Sequence, residues 1–260
     1  MKNFGFIPPI ISPTDYFFGS GKLGSVDLNP LGDWRSVLPI PELQRKGNVE
    51  TQGCVSFATL NCLEMLHKFS YKEEPNYSDR FLIKASDTNP QGGNTPKKVA
   101  DTLRKYGAVQ ENDWPWVDSL EEYYKDIPSR LFNMAKEWLG NYNFGYEYVE
   151  ISRIKDALKR SPLGIAVYAW SQNDKGEYIK LGSPNHYCIL VAYDNFDRPI
   201  IWDSYEQNVK ILEKDYPMEF IQLYKLMKKE NPIIAEYNKA GFFGKLWQFI
   251  RMFLAPKSYD

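Results

Sequence analysis

The chain has 260 residues, 43% of them hydrophobic and 25% charged, with a formal net charge of −1. That length suits one large domain or two small ones, and the mixed charge excludes a broad electrostatic case for a nucleic-acid partner. Three cysteines do not make a disulfide framework, so a reducing, cytoplasmic compartment is the default expectation.

The N-terminus, MKNFGFIPPIISPTDYFFGSGKLG, is interrupted by proline and glycine and lacks the charged start and apolar core of a secretory signal. Residues 1–30 are expected to form an extended arm. ELQRKGNVETQG reads as a polar loop leading into Cys54. Val55 to Lys68 carries an apolar face through Phe57, Leu60, Leu63 and Leu66 and predicts a buried helix. Further helices are expected at 78–85, at 96–106 with Gly107 as the stop, at 129–139, and at 151–160 before Ser161-Pro162.

The pattern then changes to β-branched and aromatic runs broken by turn residues: 164–170, 177–181, 186–194, 198–205 and 210–216. Helices followed by strands imply an α+β protein of two lobes, helical over about 50–150 and β over about 151–228, with a site in the cleft between them. Residues 229–260 form a distinct tail, in which 241–254 is rich in Phe, Leu and Trp with Lys245 and Arg251 among them. That tail admits packing on the domain itself, peripheral membrane association or docking of a partner, and is too short to span a bilayer.

Only two histidines are present, His67 and His186. There is no CxxC and no HExxH, so neither a metal nor another cofactor is expected. Cys54 would stand where a helix begins, and a thiolate there is favoured by the helix dipole and by free backbone N–H groups. His186 opens an apolar strand and Asp203 ends the next, so the two side chains could meet. They follow Cys54 by 132 and 149 residues. That is inside the window of roughly 130–150 residues between nucleophile and partners in the papain layout. Cys62 and Cys188 read as packing residues, and His67 as a surface or helix-end histidine.

The motifs resemble the papain-like cysteine peptidase family, in order over residues 33 to about 216. GDWRSVLPIPELQ is similar to the start of the mature enzymes, GCVSFATLNCLE to the nucleophile helix, and YSDRFLIKASDTNPQGG to the segment ending in paired glycines. GAVQENDWPW, SPNHYCILVAYD and IIWDSYE follow the family's later motifs. The resemblance implies a papain-like peptidase domain over 31–228, with Cys54 as nucleophile and His186 as general base and acid. It puts Asp203 where the family usually has an orienting Asn. It implies Gly92, Gly93, Asn185 and Tyr205 as substrate-binding residues, with Tyr205 where a Trp usually shields the His–Asn hydrogen bond from water. Gln44 is the expected oxyanion-hole residue, with Asn48 and Gln52 as alternatives.

The implied activity is hydrolysis of peptide or protein substrates through an acyl-enzyme. A catalytically silent binding protein and a transpeptidase or cell-wall amidase are the alternatives. Since no long inhibitory propeptide precedes Asp33, control is expected from location, the arm or substrate access.

Overall fold

A computed structural model describes residues 3–20, 27–205 and 208–229. The chain divides into two compact units, Met1–Met227 and Lys228–Asp260. The expected apolar tail at 241–254 lies outside the described residues. Among those described, no helix is long and apolar enough to cross a membrane.

The polar segment expected as a loop forms a short hairpin, β1 (Arg45–Lys46) and β2 (Val49–Glu50), in which Arg45 pairs with Glu50. It delivers the chain to α1 (Cys54–Tyr71), where residues 54 to 67 are buried without a break. A helix buried on all sides can exist only between two layers. Accordingly α1 packs on the sheet through β7 and β4 and on α2 and α3 opposite. Each fully buried leucine there, Leu60 and Leu63 among them, contributes roughly 1.5–3 kcal/mol by leaving water.

The helical layer continues with α2 (Asp79–Ala85), α3 (Pro96–Tyr106), α4 (Leu120–Tyr123) and α5 (Ser129–Asn141). Local chemistry sets their ends. Ser78 accepts from the Phe81 N–H to cap α2, and Thr95 accepts from the Lys98 N–H to cap α3, which has Pro96 in its first turn. Arg80 is buried over the Trp114 ring, 4.3 Å from its centroid, and its guanidinium donates to the carbonyls of Tyr123, Pro115 and Glu122.

The sheet begins earlier than expected, with β3 (Tyr142–Tyr148). Residues 151–160 are not one helix: a 3-10 turn at Ile151–Arg153 runs into α6 (Ile154–Leu158). There follow β4 (Leu163–Val167), β5 (Ser171–Gln172), β6 (Tyr178–Ile179), β7 (His186–Tyr193), β8 (Pro199–Trp202), β9 (Val209–Ile211) and β10 (Glu219–Lys228). Six strands form the main sheet in the order β3-β10-β4-β7-β8-β9, and the pairs β10–β4, β4–β7, β7–β8 and β8–β9 are antiparallel. β10 was not foreseen. Within the sheet, its Lys225 Nζ meets Glu147 Oε1 of β3 at 2.6 Å.

The described residues of the arm are laid along the domain. Phe18 donates to the Tyr148 carbonyl, Tyr148 to the Tyr16 carbonyl, and Asn29 to the Lys159 carbonyl.

Candidate active site

Gly53 starts α1 without a side-chain cap, and Cys54 is the first helical residue. The backbone N–H of Tyr187, the residue immediately after His186, favours the Cys54 thiolate. Burial is the main influence on the Cys54 thiol and pushes it well above its ordinary value. The nearby Asp203 and Glu50 charges act in the same direction, and the Tyr187 N–H opposes them.

His186 opens β7 opposite Val167 of β4. Ile189 of β7 faces Trp202 of β8, so Asp203, one residue beyond, emerges diagonally across from His186. Asp203 Oδ1 lies 2.6 Å from His186 Nε2. The other ring nitrogen, Nδ1, is buried with no hydrogen-bond partner among the described residues. Trp170 and Tyr205 stand edge-on to the imidazole, at centroid distances of 5.6 and 5.3 Å. Burial works to raise the Asp203 carboxyl, but the charges and hydrogen bonds of His186 and then Lys210 outweigh it and hold the group below the usual carboxylate range.

Gln44 lies at the same place. Its Oε1 accepts from Ser204 Oγ at 2.8 Å, which turns the amide nitrogen towards Tyr205, Glu50 and the Phe4 carbonyl, each within 3.0 Å. Glu50 also accepts from the Tyr205 hydroxyl and the Gln52 N–H. Asn48 lies in the exposed turn of the β1–β2 hairpin, away from this cluster. Gln52 has a left-handed backbone (φ 50°), and its buried Oε1 lacks a partner among the described residues.

Asn185 is buried beside them, its side chain paired with both backbone groups of Ala169 and its carbonyl accepting from the Phe4 N–H at 2.9 Å. Opposite, Gly92 accepts from Asn3 Nδ2. Asn94 donates to the Gly5 carbonyl and accepts from the Ile7 N–H, a parallel strand-like pairing. Residues 3–7 therefore run between the glycine edge and the His186 strand. The approach is close. A Cβ on Gly93 (φ +87°) would come 1.9 Å from the Gly5 oxygen, and one on Gly5 (φ +109°) would come 2.3 Å from the Gln52 oxygen. With the arm in place Cys54, His186 and Gln44 are 0% exposed and Asp203 is 1% exposed.

Lys210, Glu50, Ser204 and Phe4 belong to this cluster and were not singled out in the sequence. Lys210 looked like any strand residue, and Glu50 stood in a segment taken for a loop. Their only available signal was the expected position of Asp203 and Gln44. His67 is a correction. It is buried within α1, 2.9 Å from the Tyr77 hydroxyl and surrounded by Tyr71, Tyr77 and Tyr142, because these rings fold over the end of the helix.

The helix-on-sheet architecture is that of a papain-like cysteine protease fold. Solved structures agree at the level of fold. Procathepsin L 3 from Tenebrio molitor larval midgut matches with a TM-score of 0.57 at 15% identity, covering 83% of this chain and 73% of that one. Xylellain, a cysteine protease from Xylella fastidiosa, gives 0.59 at 18%, covering 86% and 96%. Bromelain from Ananas comosus, in complex with the E64 inhibitor, gives 0.54 at 16%, covering 76% and 98%. The chain spans 56% of the clostridial cysteine protease Cwp84. No curated protein matches. A family model matches residues 40–232, and the chain belongs to this family, the Peptidase_C39-like family.

Proposed function

We propose that the protein is a cysteine peptidase that cleaves peptide bonds with Cys54 as nucleophile, His186 as acid and base, Asp203 as its orienting partner and Gln44 as oxyanion donor. One observation carries the reading. Asp203 engages Nε2 of His186 and leaves Nδ1 bare, with Cys54 opening α1 in the same buried cluster. A neutral imidazole protonated on Nε2 can take the thiol proton on Nδ1. The thiolate then attacks a peptide carbonyl, forming a C–S bond, and the oxyanion is met by the Gln44 amide. His186 returns its proton to the leaving amine, water hydrolyses the thioester, and Cys54 is regenerated. Asn185 and Asn94 hold residues 4–7 of the arm by main-chain bonds and the Gly92 carbonyl accepts from the Asn3 side chain, and the same groups would hold an extended substrate. In this state the arm closes the cleft, so substrate enters when residues 3–7 leave. The three free cysteines support a reducing, cytoplasmic setting.

The test is mass spectrometry after treatment with a peptidyl epoxide, beside turnover of a fluorogenic peptide library, for the native chain, Cys54→Ala and His186→Ala. Selective labelling of Cys54 that is lost in His186→Ala, with turnover lost in both variants, is the expected result. A second reading is that the fold binds peptides without cutting them, and the buried, arm-covered site favours it. Labelling of Cys54 no faster than that of Cys62 or Cys188 once the arm is displaced would decide for that alternative.

A further inference from the structure

Asp203 has two oxygens, and the site uses only one to reach His186. The other, Oδ2, lies 2.7 Å from Lys210 Nζ. Both side chains are buried, Asp203 completely and Lys210 to within 4%. Lys210 is held in turn: it stands on β9 opposite Ile201, on the same face as Asp203 two residues on, with Nζ above the rings of Trp170 (5.2 Å) and Tyr178 (5.8 Å). A neutral amide could orient an imidazole here without a counter-charge. A buried carboxylate needs one, because its second oxygen has lost water.

We propose that Lys210 is a positioning residue of this site: by fixing Oδ2 of Asp203 it aims Oδ1 at His186 Nε2, and by sharing that carboxylate's charge it limits how strongly the imidazolium is stabilised. The proposal rests on His186 being the base of the reading above. Without Lys210 the carboxylate faces His186 alone, so the protonated imidazole gains stability and the neutral form that must accept the thiol proton appears only at higher pH. Without Asp203 the buried ammonium loses the carboxylate it faces. Removing both leaves a neutral pair. Among the described residues, the other titratable groups around this site are Cys54 on α1, Tyr178 on β6, Cys188 on β7 and Tyr205 after β8, with Glu50 on β2 acting on Cys54 and Tyr205. None of them is altered in the variants below.

The experiment is 15N NMR titration of both histidines in the full-length chain, with His186→Ala for assignment, on the native protein, Lys210→Met, Asp203→Asn and the double variant. Melting temperatures and peptide turnover are recorded for each. Lys210→Met is expected to raise the His186 midpoint by about one pH unit. The double variant is expected to bring the midpoint back down and to melt above Asp203→Asn. An unchanged midpoint in Lys210→Met, with melting losses that simply add in the double variant, would overturn the proposal and leave Lys210 a packing residue. If Lys210→Met does not fold, the double variant decides: recovery of the fold supports the pairing, and failure overturns it. A shifted midpoint in a protein without peptide turnover would sink the peptidase reading and leave the role of Lys210 standing.

Discussion

The ring of Phe4 stands edge-on to the imidazole of His186, centroid to centroid 5.9 Å, and edge-on to Tyr205 at 5.4 Å. An arm residue thus completes the aromatic wall around the candidate base, and the same residue's carbonyl occupies the Gln44 amide. Reactivity at Cys54 should depend on displacing it. Gly5→Ala adds a methyl group where no space exists and leaves every cleft residue unchanged. The variant is expected to react with iodoacetamide at Cys54 at least about tenfold faster than the native chain, as the thiol gains access and water. Cys62 and Cys188, buried in the core, should stay slow. An unchanged Cys54 rate would show that the arm is not the barrier.

Gln44 should matter to turnover and not to thiol reactivity. Gln44→Ala removes the amide that Ser204 orients, and loss of one oxyanion donor typically costs on the order of 10²–10³ in kcat. Ser204→Ala should give a smaller loss in the same direction, since the amide is then free to turn over. Both are checked by steady-state kinetics beside Cys54 alkylation. Equal losses in both measurements would indicate general damage to the site.

Glu111 makes stability depend on pH. Burial raises its carboxyl from the ordinary 4.5 to about 7, helped by the charge of Glu42 and opposed by the Trp116 N–H bond. The fold favours the protonated form, so this contribution is intact below about pH 4.5 and is lost as pH rises through about 7. Glu111→Gln keeps an acceptor for the Trp116 N–H and removes the charge. Allowing for partial exposure, it should stabilise the protein by on the order of 1–2 kcal/mol at pH 8 and by almost nothing at pH 4. Urea unfolding of the two proteins at both pH values measures this directly.

Arg80 illustrates why a guanidinium is not an ammonium. Its planar fork serves three carbonyls while its face lies on Trp114. Arg80→Lys keeps the charge but cannot reach all three, and the stranded carbonyls should cost about 2 kcal/mol in a thermal melt. A melt within error of the native protein would contradict this account.

Local signals carried much of this architecture. α3 is bracketed by Thr95-Pro96 and Gly107, α1 carries an apolar face through Phe57, Leu60, Leu63 and Leu66, and β7 is an apolar run after His186, so each could be read without a partner. β10 could not, because Gln222 and Lys225 break its apolar pattern and only the pairing with Glu147 explains the lysine. Residues 151–160 carried one helical period but fold as a 3-10 turn and a short helix. At the site, Gln44, Asn48 and Gln52 could not be separated by spacing. The β1–β2 hairpin folds the intervening residues back, so that Thr51 donates to the Gln44 carbonyl and distance along the chain loses its meaning. The contacts of Phe4 and Gly5 are largely made by main-chain atoms, which every sequence possesses and none advertises.

That last property has an evolutionary side. A clasp made of peptide groups at Phe4, Gly5 and Ile7 is blind to most spelling and sensitive to length. The exposed side chains of Ile7, Pro8 and Ile10 can drift freely while the clasp holds. A single residue gained or lost between Asn3 and Gly5 would shift every bond by one place and bring a Cβ to the point where only glycine fits. Selection on this segment should therefore tolerate substitution and penalise insertion, the reverse of what is usual for a loop at the surface.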